Sequence, residues 1–334
     1  MNQLMRPFVV SLGDPAGIGP EITAKAWEAR RVAELPPFFA VGDANSITAV
    51  WDGPIQLIHD VDMVAEVFSE ALPVLHLEAS GPIVPGQPST EGAHMALKSL
   101  ELGTGLARSG AAGALITGPV SKSQLYTIGY DHPGQTEYVA QHCGVSPTNA
   151  TMMLAGPTLR VVPVTVHVPY KDVPGLLSID LIKARAHATA KGLRRDFGIA
   201  HPRLAIAGLN PHAGEGGALG REEIEIIEPA LRQLHEEGLN VSGPYPPDAM
   251  FTPQMRRSYD AALCIYHDQG LIPLKTLHFD EGVNMTLGLP IIRTSPDHGT
   301  AFPIAGRNEA HPGAMIAAIA LARDAARHRA LCLA

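Results

Sequence analysis

Three histidines stand where apolar, strand-like runs end, and their imidazoles are the first functional signal in this sequence. His167, His212 and His267 each follow, directly or after a short turn, a run rich in Val, Ala, Leu and Ile. The carboxyl ends of parallel strands share one edge of a sheet, so residues distant in sequence can meet there. Neutral imidazole is a good zinc ligand, and three such ligands leave a coordination position open for a substrate. The pattern predicts a divalent metal site.

An ordinary structural or surface role stays open for each of these histidines on spacing alone. The chain has 15 histidines, and a single histidine at a strand end is more often structural than a ligand. None of the three forms a close HxH or HxxxH pair with another, which is the spacing of the more specific metal motifs. The interpretation as a metal site therefore depends on the residues around them.

Cationic and amide side chains downstream of the third histidine suit a negatively charged substrate. Lys275, Asn284 and Arg293 could bind a phosphate or a carboxylate near the metal. The adjacent polar residues Gln135 and Thr136 could supply further hydrogen bonds. The alternative for an isolated Lys or Arg is a solvated surface charge, which is the more common case.

Two glycine-containing loops could bind an anion or could simply be tight turns. The first, GDPAGIGPE at Gly13–Glu21, follows a strand-like run and opens a helix, but it does not have the GxGxxG pattern of a dinucleotide fingerprint. Its Pro20 suits the first position of a helix. The second, TGPVSK at Thr117–Lys122, could place backbone N–H groups around an anion.

Composition indicates a large layered α/β protein. The chain has 334 residues, of which 46% are hydrophobic and only 5% aromatic, so small aliphatic residues must build the core. The formal net charge of −8 and the lack of a basic cluster argue against nucleic acid as a partner. The three cysteines form no CxxC pair, which favours a reducing cytoplasmic location. No run of about 18 apolar residues is present, so no membrane span is expected.

Strand-like and helix-like segments alternate along the chain, which predicts parallel strands joined by crossover helices. Strands are expected at 8–12, 38–41, 56–58, 114–117, 159–168, 204–207 and 262–265. Helices are expected at 21–31, 90–109, 179–197, 222–237 and 312–329, the last of them packed on the first strands. We therefore expect a larger domain of residues 1–131 and 293–334, which holds both termini, and a second domain of residues 132–292 that also makes dimer contacts. A ligand cleft between them is expected.

Taken together, the motifs resemble one known family, 4-hydroxythreonine-4-phosphate dehydrogenase of vitamin B6 biosynthesis. The similarity runs from about residue 7 to residue 325, and the motifs that carry it, in chain order, are GDPAGIGPE, TGPVSK, GQTEY, GLNPHAGEGG, YHDQG, NMTLGLPIIRTSPDHGTA and IAGR. The resemblance implies an isocitrate/isopropylmalate dehydrogenase-like fold. Such a fold has two α/β domains around a central cleft and a largely parallel sheet, and it is not a conventional Rossmann fold.

The resemblance also implies a homodimer with active sites at the subunit interface and assigns roles to particular residues. It places a divalent metal, most often zinc and alternatively magnesium or cobalt, on His167, His212 and His267, the last from the partner subunit. The implied substrate contacts are Gln135, Thr136, Lys275, Asn284 and Arg293. The implied NAD or NADP contacts are His298, Gly299, Thr300 and Ala301.

The implied reaction is the NAD(P)-dependent oxidation of 4-phosphooxy-threonine to a β-keto acid that loses carbon dioxide, with Asp248 and Asp268 as candidate proton acceptors. Gln135 stands where this family often has a histidine. An amide can donate a hydrogen bond to a phosphate but cannot carry charge. Dehydrogenases of phosphorylated threonate-type acids or of a dihydrodiol dicarboxylate are therefore alternatives. A sugar-phosphate-binding protein without catalysis is the alternative from another class.

Overall fold

The computed structural model describes residues 6–146 and 149–332 and divides into two compact units. The first unit comprises Met1–Pro147 and Leu289–Ala334, and the second comprises Thr148–Gly288. Both ends of the chain thus belong to the first unit. Gln135, Thr136 and Arg293 also lie in the first unit, whereas the three candidate metal ligands lie in the second.

Twelve strands occur among the described residues. They are β1 (Phe8–Ser11), β2 (Phe38–Gly42), β3 (Ile55–Ile58), β4 (Leu72–His76), β5 (Leu115–Thr117), β6 (Thr151–Gly156), β7 (Leu159–Pro163), β8 (Arg203–Ala207), β9 (Asn240–Tyr245), β10 (Ala261–Cys264), β11 (Val283–Leu287) and β12 (Arg293–Pro296).

The α-helices assigned in the described part of the chain also number twelve. They are α1 (Gly19–Glu28), α2 (Ala44–Thr48), α3 (Val64–Val67), α4 (Thr90–Ser109), α5 (Lys122–Thr127), α6 (Gln135–His142), α7 (Val173–Leu176), α8 (Ile179–Phe197), α9 (Glu228–Glu236), α10 (Pro247–Met250), α11 (His267–His278) and α12 (Gly313–Cys332).

The strands of the first unit follow the order β3-β4-β2-β1-β5-β12, and every pair in it is parallel. Those of the second unit follow the order β11-β6-β7-β10-β8-β9. In that unit β6 runs antiparallel to both β11 and β7, while β7, β10, β8 and β9 are mutually parallel. The predicted α/β fold with a largely parallel sheet is confirmed, and neither strand order is that of a conventional Rossmann sheet.

Capping residues explain why two long helices have the predicted bounds. Helix α4 begins after Ser89, whose hydroxyl accepts a hydrogen bond from the Gly92 N–H, and ends at Gly110 with φ of 75°. Helix α8 begins after Ser178 and ends at Gly198 in the same left-handed conformation.

Three predicted elements differ from the structure. The strand expected at 159–168 ends at Pro163, although the Val164 and Thr165 N–H groups still donate to the carbonyl oxygens of Cys264 and Ile265 at the end of β10. The helix expected at 222–237 starts as a π-helix over Glu223–Ile227 and continues as α9. The Ala-rich α12 packs mainly against β12, with further contacts to α1 and β5, rather than on the first strands of the chain. No helix in the described ranges is long and apolar enough to cross a membrane.

Candidate active site

The histidine pocket lies in the second unit, where β7 and β10 end. It has a volume of about 130 Å³ and is lined by Thr165, His167, Val168, Tyr170, Tyr266, His267 and Asp268. The ring centroids of His167 and His267 are 5.3 Å apart. The parallel pairing of the two strands brings their carboxyl ends to one edge, as predicted.

Buried hydrogen bonds hold together the strand ends that carry the three histidines. The Thr165 hydroxyl donates to the Ile265 carbonyl oxygen at 2.8 Å, which ties the chain before His167 to the chain before His267. Gln269 is buried, and its amide oxygen accepts a hydrogen bond from the Ile265 N–H at 2.6 Å. The amide nitrogen of the same side chain donates to the Gly208 carbonyl oxygen at 2.7 Å, at the start of the segment that leads to His212.

A carboxylate fixes the orientation of His267. Asp268 Oδ1 lies 2.7 Å from His267 Nδ1, and the Tyr170 hydroxyl donates to Asp268 Oδ2 at 3.3 Å. The hydrogen bond from His267 holds the pKa of Asp268 below its usual range, so this carboxyl group is ionised at neutral pH. A carboxylate on one ring nitrogen leaves the other nitrogen, Nε2, available as a ligand. These contacts favour an orienting role for Asp268 over that of a proton acceptor.

His167 and His212 both have a left-handed backbone, which is uncommon for residues other than glycine. Their φ angles are 54° and 51°. Such a conformation costs on the order of 1–2 kcal/mol for each residue and persists only where the surroundings impose it. His212 begins a run of six consecutive residues, His212–Gly217, that all have positive φ. Both side chains are exposed.

The residues present fit a metal in part. Two imidazoles on one tetrahedral zinc, with Zn–N distances of about 2.0–2.1 Å, would place their ring centroids roughly 5 Å apart, which is close to the separation of His167 and His267. No group of three or more His, Cys, Asp or Glu side chains that could hold a metal occurs within residues 6–146 and 149–332 of one chain. His212 therefore does not complete a three-ligand set with the other two histidines in the single chain.

A second cluster, which we call the arginine cluster, lies in the first unit around Arg293. Arg293, the first residue of β12, is only 3% exposed. Its Nη2 donates to the Thr117 hydroxyl at 2.7 Å and its Nη1 donates to the Thr136 hydroxyl at 3.2 Å. Burial lowers the pKa of the guanidinium to about 10, so it keeps its charge at neutral pH. A buried, oriented guanidinium with hydroxyl neighbours is suited to bind a phosphate or carboxylate.

Gln135 and Thr136 form the first turn of α6, next to the arginine cluster. The Gln135 amide nitrogen donates to the Gly118 carbonyl oxygen at 3.1 Å, which fixes the direction of the amide. Its Oε1 is buried and has no hydrogen-bond partner among the described residues. The side chain therefore presents an acceptor, and a substrate hydroxyl or ammonium group would satisfy it. The TGPVSK motif supplies Thr117 and Gly118 to this cluster.

The remaining implied substrate residues, Lys275 and Asn284, lie in the second unit. Lys275 is half-buried on α11, two turns after His267. Asn284, on β11, donates from its amide nitrogen to Met152 Sδ at 3.4 Å. Its Oδ1 is buried without a hydrogen-bond partner within the described ranges. Asn284 thus resembles Gln135 in presenting a buried acceptor.

The DHGTA segment lies against the first glycine loop. The Thr300 carbonyl oxygen accepts a hydrogen bond from the Ile18 N–H at 3.0 Å, and Thr300 is buried. Ala301 has a left-handed φ of 44°. His298 is exposed, with Nδ1 at 3.1 Å from the Gly299 carbonyl oxygen. The GDPAGIGPE loop itself is the turn from β1 into α1.

Asp248 is not among the side chains that line the histidine pocket, although its helix α10 contacts the loop that carries His212. It is exposed in the short helix α10. The local structure therefore gives it no contact that would identify it as a proton acceptor.

Comparison with known proteins identifies the family of this chain. The family model described as pyridoxal phosphate biosynthetic protein PdxA matches residues 35–322. A 4-hydroxythreonine-4-phosphate dehydrogenase of Zymomonas mobilis is 54% identical over 325 residues, which are 97% of this chain and 97% of that protein. This chain belongs to the PdxA family.

The fold of this PdxA family member is also similar to those of solved structures. The crystal structure of 4-hydroxythreonine-4-phosphate dehydrogenase from Klebsiella pneumoniae has 35% sequence identity and a TM-score of 0.84, and the alignment covers 96% of this chain and 98% of that chain. A terephthalate 1,2-cis-dihydrodiol dehydrogenase from Burkholderia xenovorans has 30% identity and a TM-score of 0.65, with coverage of 96% and 98%. The resemblance expected from the motifs is confirmed.

Sequence reasoning missed several residues that shape the two clusters of this PdxA protein. Thr117 was considered only as part of a loop whose backbone could bind an anion or form a turn, whereas the structure shows its side-chain hydroxyl in contact with Arg293. Tyr170 and Gln269 were not singled out. Their position within three residues of His167 or His267 was the available signal, because neighbours of a candidate ligand often orient it.

Proposed function

We propose that this protein is an NAD(P)-dependent, metal-dependent 4-hydroxythreonine-4-phosphate dehydrogenase. It oxidises 4-phosphooxy-threonine to 2-amino-3-oxo-4-(phosphooxy)butanoate, which decarboxylates to 3-amino-2-oxopropyl phosphate on the route to pyridoxine 5′-phosphate. The observation that carries this assignment is the buried arginine cluster in a member of the PdxA family, because it is suited to hold the phosphate that distinguishes this substrate.

Arg293 and the residues around it would bind the substrate phosphate. The guanidinium carries the charge, and the hydroxyls of Thr117 and Thr136 keep its plane in one orientation. Lys275 adds a second cation. The buried acceptors of Gln135 and Asn284 would select substrate groups that donate hydrogen bonds, such as a hydroxyl or an ammonium.

His167 and His212 of one subunit and His267 of the partner subunit would hold the divalent metal, with zinc the first candidate and magnesium or cobalt as alternatives. The bound metal would lower the pKa of the substrate hydroxyl and would polarise the carbonyl formed from it. Asp268 would keep His267 in the tautomer with Nε2 free, through the contact to Nδ1. Asp248 and Asp268 remain the predicted proton acceptors, and the contacts of Asp268 make it the weaker of the two.

NAD or NADP would accept the hydride, and we propose that it binds near His298, Gly299, Thr300 and Ala301. The support is local: the left-handed backbone at Ala301 and the hydrogen bond of Thr300 to the glycine loop give this segment a fixed shape. A cytoplasmic location, which the free cysteines suit, is part of the proposal.

A homodimer is proposed as the active form. Helix α11, which begins at His267, and the residue after it expose large apolar side chains: Ile272 is 65% exposed and Phe279 is 76% exposed. Tyr170 and Leu176, on the segment after His167, are also exposed. Apolar exposure next to the incomplete histidine set supports coverage by a second copy of the chain. Replacing Phe279 with Glu is expected to shift the protein to monomers in sedimentation velocity and to reduce turnover, whereas dimers of wild-type stability would contradict this surface.

Absorbance at 340 nm tests the main assignment in one cuvette. The purified protein with 4-phosphooxy-threonine, zinc and NAD or NADP is expected to form reduced nicotinamide, and a chelator is expected to stop the reaction. Binding of the substrate without reduction of the nucleotide would instead support a sugar-phosphate-binding protein.

The second candidate function is oxidation of a related acid, and two observations favour keeping it. Gln135 replaces a histidine that is common in the family, and a dihydrodiol dehydrogenase shares 30% identity with this chain. A side-by-side panel of 4-phosphooxy-threonine, phosphorylated threonate and a dihydrodiol dicarboxylate decides between them. The highest kcat/KM is expected for 4-phosphooxy-threonine.

A further inference from the structure

The loop that carries His212 has a backbone that needs an external support. Residues His212, Ala213, Gly214, Glu215 and Gly216 have φ angles of 51°, 52°, 80°, 43° and 64°. Three of these five are not glycine, and L residues leave this conformation unless their surroundings prevent it. Within the loop, the Ala213 N–H donates to the Asn210 carbonyl oxygen at 3.1 Å, so the geometry is anchored at Asn210.

Glu223 provides that support from inside the protein. Its side chain is almost fully buried. Oε1 accepts hydrogen bonds from the backbone N–H groups of Leu209 and Asn210, both at 2.8 Å. Oε2 accepts a hydrogen bond from the Asn210 side-chain amide at 2.9 Å. One buried carboxylate thus binds three donors at the entrance of the left-handed loop.

Glycines leave the space that this arrangement needs. A Cβ atom on Gly214 would lie 2.6 Å from Glu223 Oε2, and one on Gly220 would lie 2.2 Å from Asn210 Nδ2. A Cβ atom on Gly208 would lie 3.2 Å from Glu223 Oε1. The glycines of the GLNPHAGEGG motif and of the segment after it therefore surround the contact between Asn210 and Glu223.

We propose that Glu223 is a positioning residue that fixes the direction of the His212 imidazole. The carboxylate holds Leu209 and Asn210, and these two residues fix where the left-handed turn begins. The inference rests on the proposed function, because it assumes that His212 is a metal ligand. Glu223 acts through His212 and does not touch the substrate.

The test compares Glu223→Gln with the matched control Glu225→Gln in the full-length protein. Glutamine keeps one acceptor oxygen but turns an N–H₂ group toward the Asn210 amide, so at least one of the three hydrogen bonds is lost. Glu225 is exposed and pairs only with Arg221 among the described ion pairs, at 2.6 Å. Zinc affinity, measured by competition with a chelator, is expected to fall by about 10–100-fold in Glu223→Gln and to stay unchanged in the control.

Two further readouts separate positioning from a general loss of structure. At saturating zinc, Glu223→Gln is expected to recover turnover, with the KM for the substrate close to that of the wild type. Hydrogen exchange at the Leu209 and Asn210 amides is expected to become faster in the variant while exchange in β8 stays slow. A purely structural role would lower the melting temperature and leave the zinc affinity of the folded protein unchanged.

The variant His212→Ala separates a failure of the proposed metal role of His212 from a failure of the positioning role of Glu223. If His212→Ala binds zinc as tightly as the wild type, the metal role in the proposed function fails. If His212→Ala loses zinc and Glu223→Gln does not, the positioning role of Glu223 alone is overturned. Should Glu223→Gln not fold, Asn210→Ala decides, because it removes the amide bonds to Oε2 of Glu223 and to Oε2 of Glu222 and keeps the two backbone bonds to Glu223. A several-fold loss of zinc affinity in that variant supports the proposal, and wild-type affinity overturns it.

Discussion

The arginine cluster and the histidine pocket differ in how far a single chain buries and orients their side chains. Arg293 is buried, and its hydroxyl neighbours already fix the guanidinium. The side chain of His267 is 30% exposed, and that of its partner Asp268 is 51% exposed. The arginine cluster, which we propose to bind the substrate anion, is thus ordered within one unit, whereas the three histidines proposed to hold the metal form no complete ligand set among the described residues of a single chain.

The difference follows from the charges involved. A buried guanidinium is costly unless hydrogen-bond acceptors pair with it, and the hydroxyls of Thr117 and Thr136 supply two such acceptors within the chain. Neutral imidazoles can stay at the surface at little cost, and a metal or a second subunit can complete their geometry later. The left-handed backbones of His167 and His212 cost stability, and the surroundings that impose them also restrict the direction of these two side chains.

Loss of Arg293 is expected to have the largest effect. Arg293→Ala removes the charge and leaves the Thr117 and Thr136 hydroxyls without their donor. We expect kcat/KM for the phosphorylated substrate to fall about 10³-fold, since truncating one partner of a buried charged contact costs about 2–5 kcal/mol. Arg327→Ala, at an exposed arginine, is the matched control. A change in kcat/KM of less than about 3-fold in Arg293→Ala would show that the arginine cluster does not bind the phosphate.

The second effect is at the histidine pocket. His267→Ala is expected to weaken zinc binding by about 10²-fold or more, because one coordinating nitrogen is lost. Chelator treatment of the wild type is expected to abolish turnover, and added zinc is expected to restore it. His201→Ala, at an exposed histidine, serves as the control. Wild-type zinc affinity in His267→Ala would remove this residue from the metal site.

Gln135 variants test whether the buried amide acceptor next to the arginine cluster contacts the substrate. Gln135→Leu removes the buried acceptor Oε1 and the donor to Gly118, and the KM is expected to rise about 10-fold with a smaller change in kcat. Gln135→His restores a residue common in the family, and it is expected to bind the substrate about as well as the wild type. Equal KM values for Gln135→Leu and the wild type would show that this amide does not contact the substrate.

The smallest expected effect is at Tyr170. Tyr170→Phe removes one hydrogen bond to Asp268, which at 3.3 Å is a long one. Zinc affinity is expected to fall by about 5-fold, below the roughly 10–100-fold that stronger outer contacts to metal ligands contribute. Tyr126→Phe is a suitable control, because Tyr126 is about as exposed as Tyr170. An unchanged zinc affinity in Tyr170→Phe would show that Asp268 orients His267 without help from Tyr170.

Local signals allowed much of the fold to be predicted from sequence. The serine caps and the terminal glycines define α4 and α8, and the bounds predicted from periodicity are those observed. The apolar run before His167 gave no sign that β7 stops at Pro163. Periodicity reports which residues are buried, but it does not report where a chain leaves the sheet.

The candidate site could be predicted only as a set of residues. The contact between Arg293 and Thr117 joins residues separated by 176 positions, so no local pattern contains it. The left-handed turn at His212 depends on Glu223, whose sequence neighbourhood looks like the start of an ordinary helix. Long-range hydrogen bonds determine both arrangements, and the local patterns of a single sequence do not predict which distant residues form them.

The most direct test measures zinc binding and phosphate binding separately, by titration calorimetry of the wild type, Arg293→Ala and His267→Ala. The two variants are expected to lose different ligands. Arg293→Ala keeps wild-type zinc affinity and loses the phosphorylated substrate, while His267→Ala loses zinc and still binds inorganic phosphate as the wild type does. If both variants lose both ligands while they remain folded, the division into a preformed anion site and an incomplete metal site is wrong.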